Sequence, residues 1–378
     1  MAAHDKINWL NEPIEPALGC GLGSIFGLAP TAPTSALAGL FGGTPAPAPA
    51  TPNILALLLN AGSGAAEGPC RSRSSWNDRF THWERPESVS EGGTIERAKT
   101  NVSAAIADNS WLNGQRVRVE GQGSYFNRTN VRREADIDLR VVHPLLKVDY
   151  ADNVYLPAAQ GMLGYSDAGP TFQQIFNGLR VNLAKDLSTR FGRSNVEVGK
   201  KAIRIKGITG SRAEVDVVPA IRYHHVTWLT DAQRYLTLEG VAILSTDGRW
   251  TVNFPDQHAA NGRAKRGRTG HQFKRTVRIF KRMQADMLRT GAMKARVPSF
   301  LVECLVYAVE DPYFTVPTDD RYGRVRRVAW RIKQLLSAAQ AGLTEINDIK
   351  WLFHADQAWN HADALAFADA AIAYLGDA

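Results

Sequence analysis

The stretch Gly123-Ser124-Tyr125-Phe126-Asn127-Arg128-Thr129, followed shortly by Asp136-Ile137-Asp138-Leu139, decides how this 378-residue chain folds. Side chains along a strand alternate between faces, so Asp136 and Asp138 share one face while Ile137 and Leu139 share the other. Two neighbouring carboxylates repel unless a cation lies between them. Magnesium takes hard oxygen ligands, usually one or two carboxylates plus substrate phosphates, and the DxD pair meets that need. A third carboxylate, Asp216, lies in Glu214-Val215-Asp216-Val217-Val218, with an apolar neighbour on each side. Three aspartates from two strands can hold two ions, one activating an attacking hydroxyl and one stabilising a leaving pyrophosphate. Gly123 lets the backbone approach phosphates closely, and nearby N–H groups with the Ser124 hydroxyl can bond a triphosphate. A surface DxD or a Gly-Ser pair alone means little; the ordered set, ending on a distant strand aspartate, is far more specific.

Outward from this motif the pattern is mixed. Arg116–Gly121 and Ala135–Val142 alternate as strands, and so do residues 196–198, 202–208 and 213–221. A helical pattern starts at Thr94, and residues 171–191 form an amphipathic helix with Phe172, Ile175, Phe176, Leu179, Leu183 and Leu187 on one face. From about residue 255 the chain turns helical, with candidates at 270–289, 298–309, 324–341 and 356–375. The expected fold class is α+β: a mixed-sheet core over residues 75–250, a helical C-terminal lobe over 251–378, and a cleft between them. Residues 1–74 read as a mostly disordered, low-complexity extension. Nine of the 18 prolines fall in its first 70 residues, and Thr44 to Pro52 alternates Pro with Ala. Such side chains bury too little area to offset ordering entropy.

The net charge is +8, with a pI near 9.4. One lysine against four acids makes the first 70 residues −3, which leaves +11 on the rest. That balance favours anionic partners such as nucleotides or nucleic acid without choosing between them. Cys20, Cys70 and Cys304 are isolated, so neither a disulfide framework nor a structural zinc site is expected. No apolar run is long enough to span a bilayer, and the expected location is the cytoplasm, with no membrane partner.

Gly123-Ser124, Thr129 and Asp136-Ile137-Asp138-Leu139 resemble the signature of the DNA polymerase beta-like nucleotidyltransferases. Within that superfamily the chain looks most similar to the bacterial cGAS/DncV-like cyclic-oligonucleotide synthases, and to their pyrimidine-using CdnE-like subgroup. Asn253-Phe254-Pro255, His258, Asn261-Gly262, Lys265, Thr269, Phe273-Lys274, Val277-Arg278 and Lys281 carry the second half of the likeness, which covers roughly residues 75–375. The resemblance implies Asp136, Asp138 and Asp216 as catalytic metal ligands for two Mg2+ ions, with Mn2+ as a substitute. It implies Gly123, Ser124 and Thr129 at the nucleotide phosphates. It also implies condensation of nucleoside triphosphates (ATP, UTP or others) into a cyclic di- or oligonucleotide that activates a separate effector in anti-phage defence.

Nine Lys and Arg lie in residues 263–282, mostly in keeping with a solvated helix face. Lys274, Arg278 and Lys281 share a face by helical spacing, and this face is expected to meet the triphosphate or an acidic partner. Lys265 and Lys274 are the preferred triphosphate ligands because they also match the family pattern. Asn253 is a candidate base reader, since an amide can both donate to and accept from a uracil edge; a turn-capping role before Phe254-Pro255 is the even alternative. Tyr125 and Tyr223 offer stacking surfaces, although such aromatics more often belong to the core. Two other functions fit the same residues at this point. One is a sister enzyme that makes linear products or modifies RNA or protein. The other is a catalytically idle module that senses nucleic acid, a partner neither required nor excluded.

Overall fold

The computed structural model describes residues 68–376, apart from 87–88, 132–136, 166–170, 209–211, 317–319, 339–341 and 356. The expected disordered extension, up to residue 67, lies outside the described residues, and so does Asp136.

Two long strands form the middle of the sheet. β2 (Ile137–Tyr150) and β5 (Val215–Leu229) run parallel, in a register that sets Asp138 opposite Asp216. β1 (Arg118–Gln122) pairs antiparallel with the free edge of β2. The other edge of β5 is divided. β4 (Ile203–Ile205) takes residues 215–217, and β6 (Arg234–Leu244) takes residues 221–229. β3 (Val196–Val198) and β7 (Trp250–Asn253) extend the sheet from β4 and β6. The result is a mixed seven-stranded sheet.

Strand alternation sorts its two faces. Ile137, Leu139, Val141, Val215 and Val217 are buried with side chains of α2 (Val89–Ala107) and α6 (Phe172–Phe191). On α6, Ile175, Phe176, Leu179, Leu183 and Leu187 are all buried, as their spacing requires. Each such side chain contributes about 1.5–3 kcal/mol on burial. Thr171 caps α6 in a reciprocal box with Gln174, and this box fixes where the helix starts. The opposite face of the sheet carries Asp138 and Asp216, then a small apolar patch of Val142, Val218, Ala220, Val241 and Ile243.

The second core is helical. α7 (Pro255–Arg268) leads out of the sheet, and α8 (Gln272–Arg289), α9 (Ser299–Ala308), α10 (Arg321–Ser337) and α11 (His361–Leu375) surround Phe280, Met283, Leu305, Val325 and Phe367. The first helix among the described residues, α1 (Arg73–Trp83), joins this core although it precedes the sheet in sequence. Its Trp76 is fully buried against Phe80, Tyr322 and Tyr374, with ring centroids 5.1, 6.3 and 5.7 Å away. Strands β6 and β7 and the length of β5 beyond Ile221 were not foreseen. No helix among the described residues is long and apolar enough to cross a membrane. Cys304 is a free, buried thiol.

Candidate active site

β1 ends at Gln122, directly opposite Asp138, and the chain then turns through a short helix, α4 (Gly123–Phe126). Gly123 has φ +79°, in the left-handed region that glycine enters without penalty. A Cβ there would stand 2.0 Å from Oδ2 of Asp138, so the carboxylate rests against the glycine backbone. The turn closes on itself. Asn127 N–H donates to Gly123 O at 3.2 Å, Arg128 N–H to Tyr125 O at 3.0 Å, and Thr129 N–H to Ser124 O at 2.9 Å. The Thr129 hydroxyl donates to the same Ser124 carbonyl at 3.3 Å. Thr129 is only 2% exposed, so it braces the turn from below, whereas Gly123 and Ser124 line the open side.

Asp138 and Asp216 stand side by side across the parallel register, on the face away from the helices α2 and α6. Arg204 occupies the matching position on β4. Its Nε lies 3.1 Å from Asp216 Oδ1 and its Nη2 3.4 Å from Oδ2, a two-pronged contact, and the same Nε is 3.1 Å from Glu214 Oε1. The alternation of Ile203-Arg204-Ile205 carried the signal for this, because the flanking isoleucines go to the core and leave the arginine on the aspartate face. Two residues beyond Asp138, buried Arg140 donates 2.8 Å bonds to Glu120 of β1 and to Asp256 of α7, tying sheet to helical lobe.

A cavity of about 1610 Å³ opens between the two halves. Gly123, Ser124 and Asp138 form its sheet side, Asn253 its corner at the end of β7, and Phe300 and Trp359 part of its helical side. His258 stacks on Phe300 at 5.6 Å, and Phe300 meets Trp359 at 5.9 Å, which gives flat apolar surfaces beside polar groups. His258 is buried, and that burial lowers its pKa. Asn253 makes no side-chain cap for α7, whose N-cap is Phe254. Tyr223 is fully buried and Tyr125 packs against the sheet core, so neither is a free stacking platform. Phe126, at the cavity edge, is an aromatic the motif contained but its reading passed over.

The cationic segment departs most from expectation. Lys265 does not face the cavity: its ammonium donates to Val309 O at 2.7 Å and to Asp311 at 2.9 Å. It is 5% exposed and sits over the Tyr307 and Phe314 rings, each at 5.3 Å, so it ties α7 to the loop after α9. Lys274 is likewise turned inward, donating to Asn127 O at 2.8 Å, and burial lowers its pKa to about 8. Both placements replace the expected triphosphate contacts with protein ones, because a buried ammonium needs acceptors at hand. Lys281 reaches Thr129 O at 2.9 Å and pairs with Glu303, both side chains being buried.

Comparison with known proteins agrees with this geometry. Residues 260–376 match the model of the cGAS/DncV-like nucleotidyltransferase C-terminal helical domain. A cyclic dipyrimidine nucleotide synthase CdnE of Legionella pneumophila is 33% identical over 306 residues, covering 79% of this chain and 98% of the relative. The chain belongs to the cGAS/DncV-like nucleotidyltransferases. A cyclic dipurine nucleotide synthase of Elizabethkingia meningoseptica is 30% identical over 304 residues, or 79% of this chain and 97% of that one. The solved structure of the Elizabethkingia meningoseptica CdnE cyclic dinucleotide synthase, with GTP and Apcpp, superposes with a TM-score of 0.63 at 28% identity, covering 80% of this chain and 99% of that one. As a member of this family the chain is an enzyme, a nucleotidyltransferase of the CdnE cyclic dinucleotide synthases.

Proposed function

We propose that this enzyme condenses nucleoside triphosphates into a cyclic di- or oligonucleotide, with Asp136, Asp138 and Asp216 holding two magnesium ions. The observation that carries the reading is the pairing of Asp138 with Asp216 across parallel strands, beside a glycine turn on a cavity lip. Hard carboxylate oxygens at one place fit magnesium, with manganese as a substitute. When bound, the ions would lower the pKa of an attacking hydroxyl and offset charge on the leaving pyrophosphate. The chain's own part is to position. Gly123 and Ser124 hold the triphosphate at the turn. The aromatic surfaces of Phe300 and Trp359 receive a base. A ribose hydroxyl of one nucleotide then forms a bond to the α-phosphorus of another, and the bond to pyrophosphate breaks. A second transfer closes the ring and releases a second pyrophosphate.

Residues 75–250 would supply this chemistry and residues 251–378 the facing wall, apart from the α1 helix, which packs with the latter. Asn253, half-buried at the cavity corner, is the proposed base reader. Base choice is pyrimidine on the stronger match, to a dipyrimidine synthase, although a dipurine synthase follows closely. The product would activate a separate effector in anti-phage defence, and catalysis would require no nucleic acid.

The test incubates the purified full chain with all four nucleoside triphosphates and magnesium, then identifies the phosphatase-resistant product by mass spectrometry. Asp138→Asn and Asp216→Asn should each abolish it. Label retained only on RNA or protein, or a purely linear product, would refute cyclisation; activity that survives both substitutions would refute the metal site.

A further inference from the structure

One face of α8 meets the backbone that follows the phosphate turn. Lys274 donates to Asn127 O at 2.8 Å, Arg278 Nη1 to Arg128 O at 2.7 Å, and Lys281 to Thr129 O at 2.9 Å. Three cations at i, i+4 and i+7 thus take three successive carbonyls. All three are buried, at 6%, 6% and 4% exposure. Burying three cations is costly, and their spacing onto consecutive peptide units is a specific arrangement rather than a solvated face. At its centre Arg128 has φ +54°, a strained conformation for a non-glycine residue that persists only where its surroundings hold it.

The contacts extend both ways. The amides of Asn127, Arg128 and Thr129 are bonded to the carbonyls of Gly123, Tyr125 and Ser124. Gly123 in turn abuts the Asp138 carboxylate. On the far side, Lys281 pairs with Glu303 of α9, and Glu303 Oε2 lies 4.0 Å from His258 Nε2; both of these residues line the cavity. Arg278 Nε also binds Glu84 O at the end of α1, at 2.7 Å. An unbroken run of contacts therefore joins the helical wall of the cavity to the turn and the aspartate.

We propose that Lys274, Arg278 and Lys281 are positioning residues for nucleotidyl transfer, setting the phosphate turn against Asp138 through the carbonyls of residues 127–129. The proposal rests on the transfer reaction argued above. None of the three lines the cavity, and each bonds a main-chain carbonyl of the segment after the turn. Removing one lets the turn move while the cavity still admits nucleotide, so the loss falls on turnover.

Lys274 is the cleanest probe, since its replacement by methionine keeps length and leaves no buried carboxylate unpaired. Lys274→Met should lower kcat roughly tenfold or more, in line with the cost of a sub-ångström to 1 Å misplacement, with KM for the nucleotide within about threefold. Lys274→Arg should recover most of the lost turnover. Arg278→Lys, too short to reach both Glu84 O and Arg128 O, should show the same split if Lys274→Met folds poorly. A rise in KM at unchanged kcat would make Lys274 a triphosphate ligand and overturn the proposal. So would a fall in melting temperature with kcat intact. Amide hydrogen exchange reads the same contacts without catalysis: protection of the Asn127, Arg128 and Thr129 amides should fall in Lys274→Met. A wild type that makes no product refutes the reaction, whereas unchanged protection overturns the ladder whatever the activity.

Discussion

Replacing Gly123 with alanine tests the site at its narrowest point. Two costs are separable. The first is backbone: a residue with a Cβ at φ +79° incurs about 1–2 kcal/mol of strain. The second is collision. The new Cβ would fall 2.0 Å from Asp138 Oδ2 and 2.9 Å from its Cγ, so the carboxylate must move by roughly 1 Å or more to reach ordinary contact distance. A displacement of that size at a reacting centre costs about 100-fold in rate. Gly123→Ala should therefore lose about 1–3 kcal/mol of stability, and its kcat should fall on the order of 100-fold at saturating nucleotide and magnesium. Gly164→Ala supplies the control. Gly164 has φ +67° at the end of α5 (Leu156–Leu163), but nothing lies within 4 Å of its added Cβ. It incurs the backbone strain alone, so its melting temperature should drop while its kcat stays at the wild-type value. The assay is the initial rate of phosphatase-resistant product beside a thermal melt. If Gly123→Ala keeps kcat within threefold of Gly164→Ala, the carboxylate does not depend on the glycine, and the placement of Asp138 as a metal ligand at this turn is wrong.

The Lys281–Glu303 pair is buried on both sides, so Glu303→Leu should destabilise by about 3–5 kcal/mol, and the double variant Lys281→Met/Glu303→Leu should recover much of that in urea unfolding. His225 is 3% exposed, with neither ring nitrogen hydrogen-bonded among the described residues, and burial lowers its pKa to about 4. Its unfolded value is near 6.5, so the unfolded chain binds the extra proton between those limits, and stability is full above pH 6.5 and lost as pH falls towards 4. The loss is about 3 kcal/mol at most, and melting curves of His225→Phe should lack that part of the acid slope. Asn253→Ala should shift the base composition of the product by about tenfold or more, read by mass spectrometry with competing triphosphates, because a polar reader discriminates through bonds left unmade; an unchanged product would remove Asn253 from base selection.

Much of the candidate site was legible in the sequence. Strand alternation sent Asp138 and Asp216 away from Ile137, Val215 and Val217, and the register then made the two aspartates neighbours. The apolar spacing from Phe172 to Leu187 marked α6 to within a residue. β6 was less visible because Glu239-Gly240 interrupts its apolar pattern; Gly240 is there because a Cβ would stand 2.6 Å from Asn253 O on β7. Such a requirement belongs to a neighbouring strand and leaves no local trace. The short helix at Gly123–Phe126 was hidden because four residues carry no periodicity. The lysines illustrate a different limit. Helical spacing put Lys274, Arg278 and Lys281 on one face correctly, but spacing does not say what that face meets. Their acceptors lie about 150 positions earlier in the chain and are peptide groups, which every residue carries.

Contacts made to main-chain carbonyls are indifferent to the side chains that bear them. Asn127 and Arg128 are therefore freer to drift than Thr129, whose hydroxyl braces the turn, provided the backbone path is kept, while the burden of specificity falls on three positions of one helix. A lineage could remodel the surface of its phosphate turn, and with it whatever approaches the cavity mouth, without renegotiating the framework beneath.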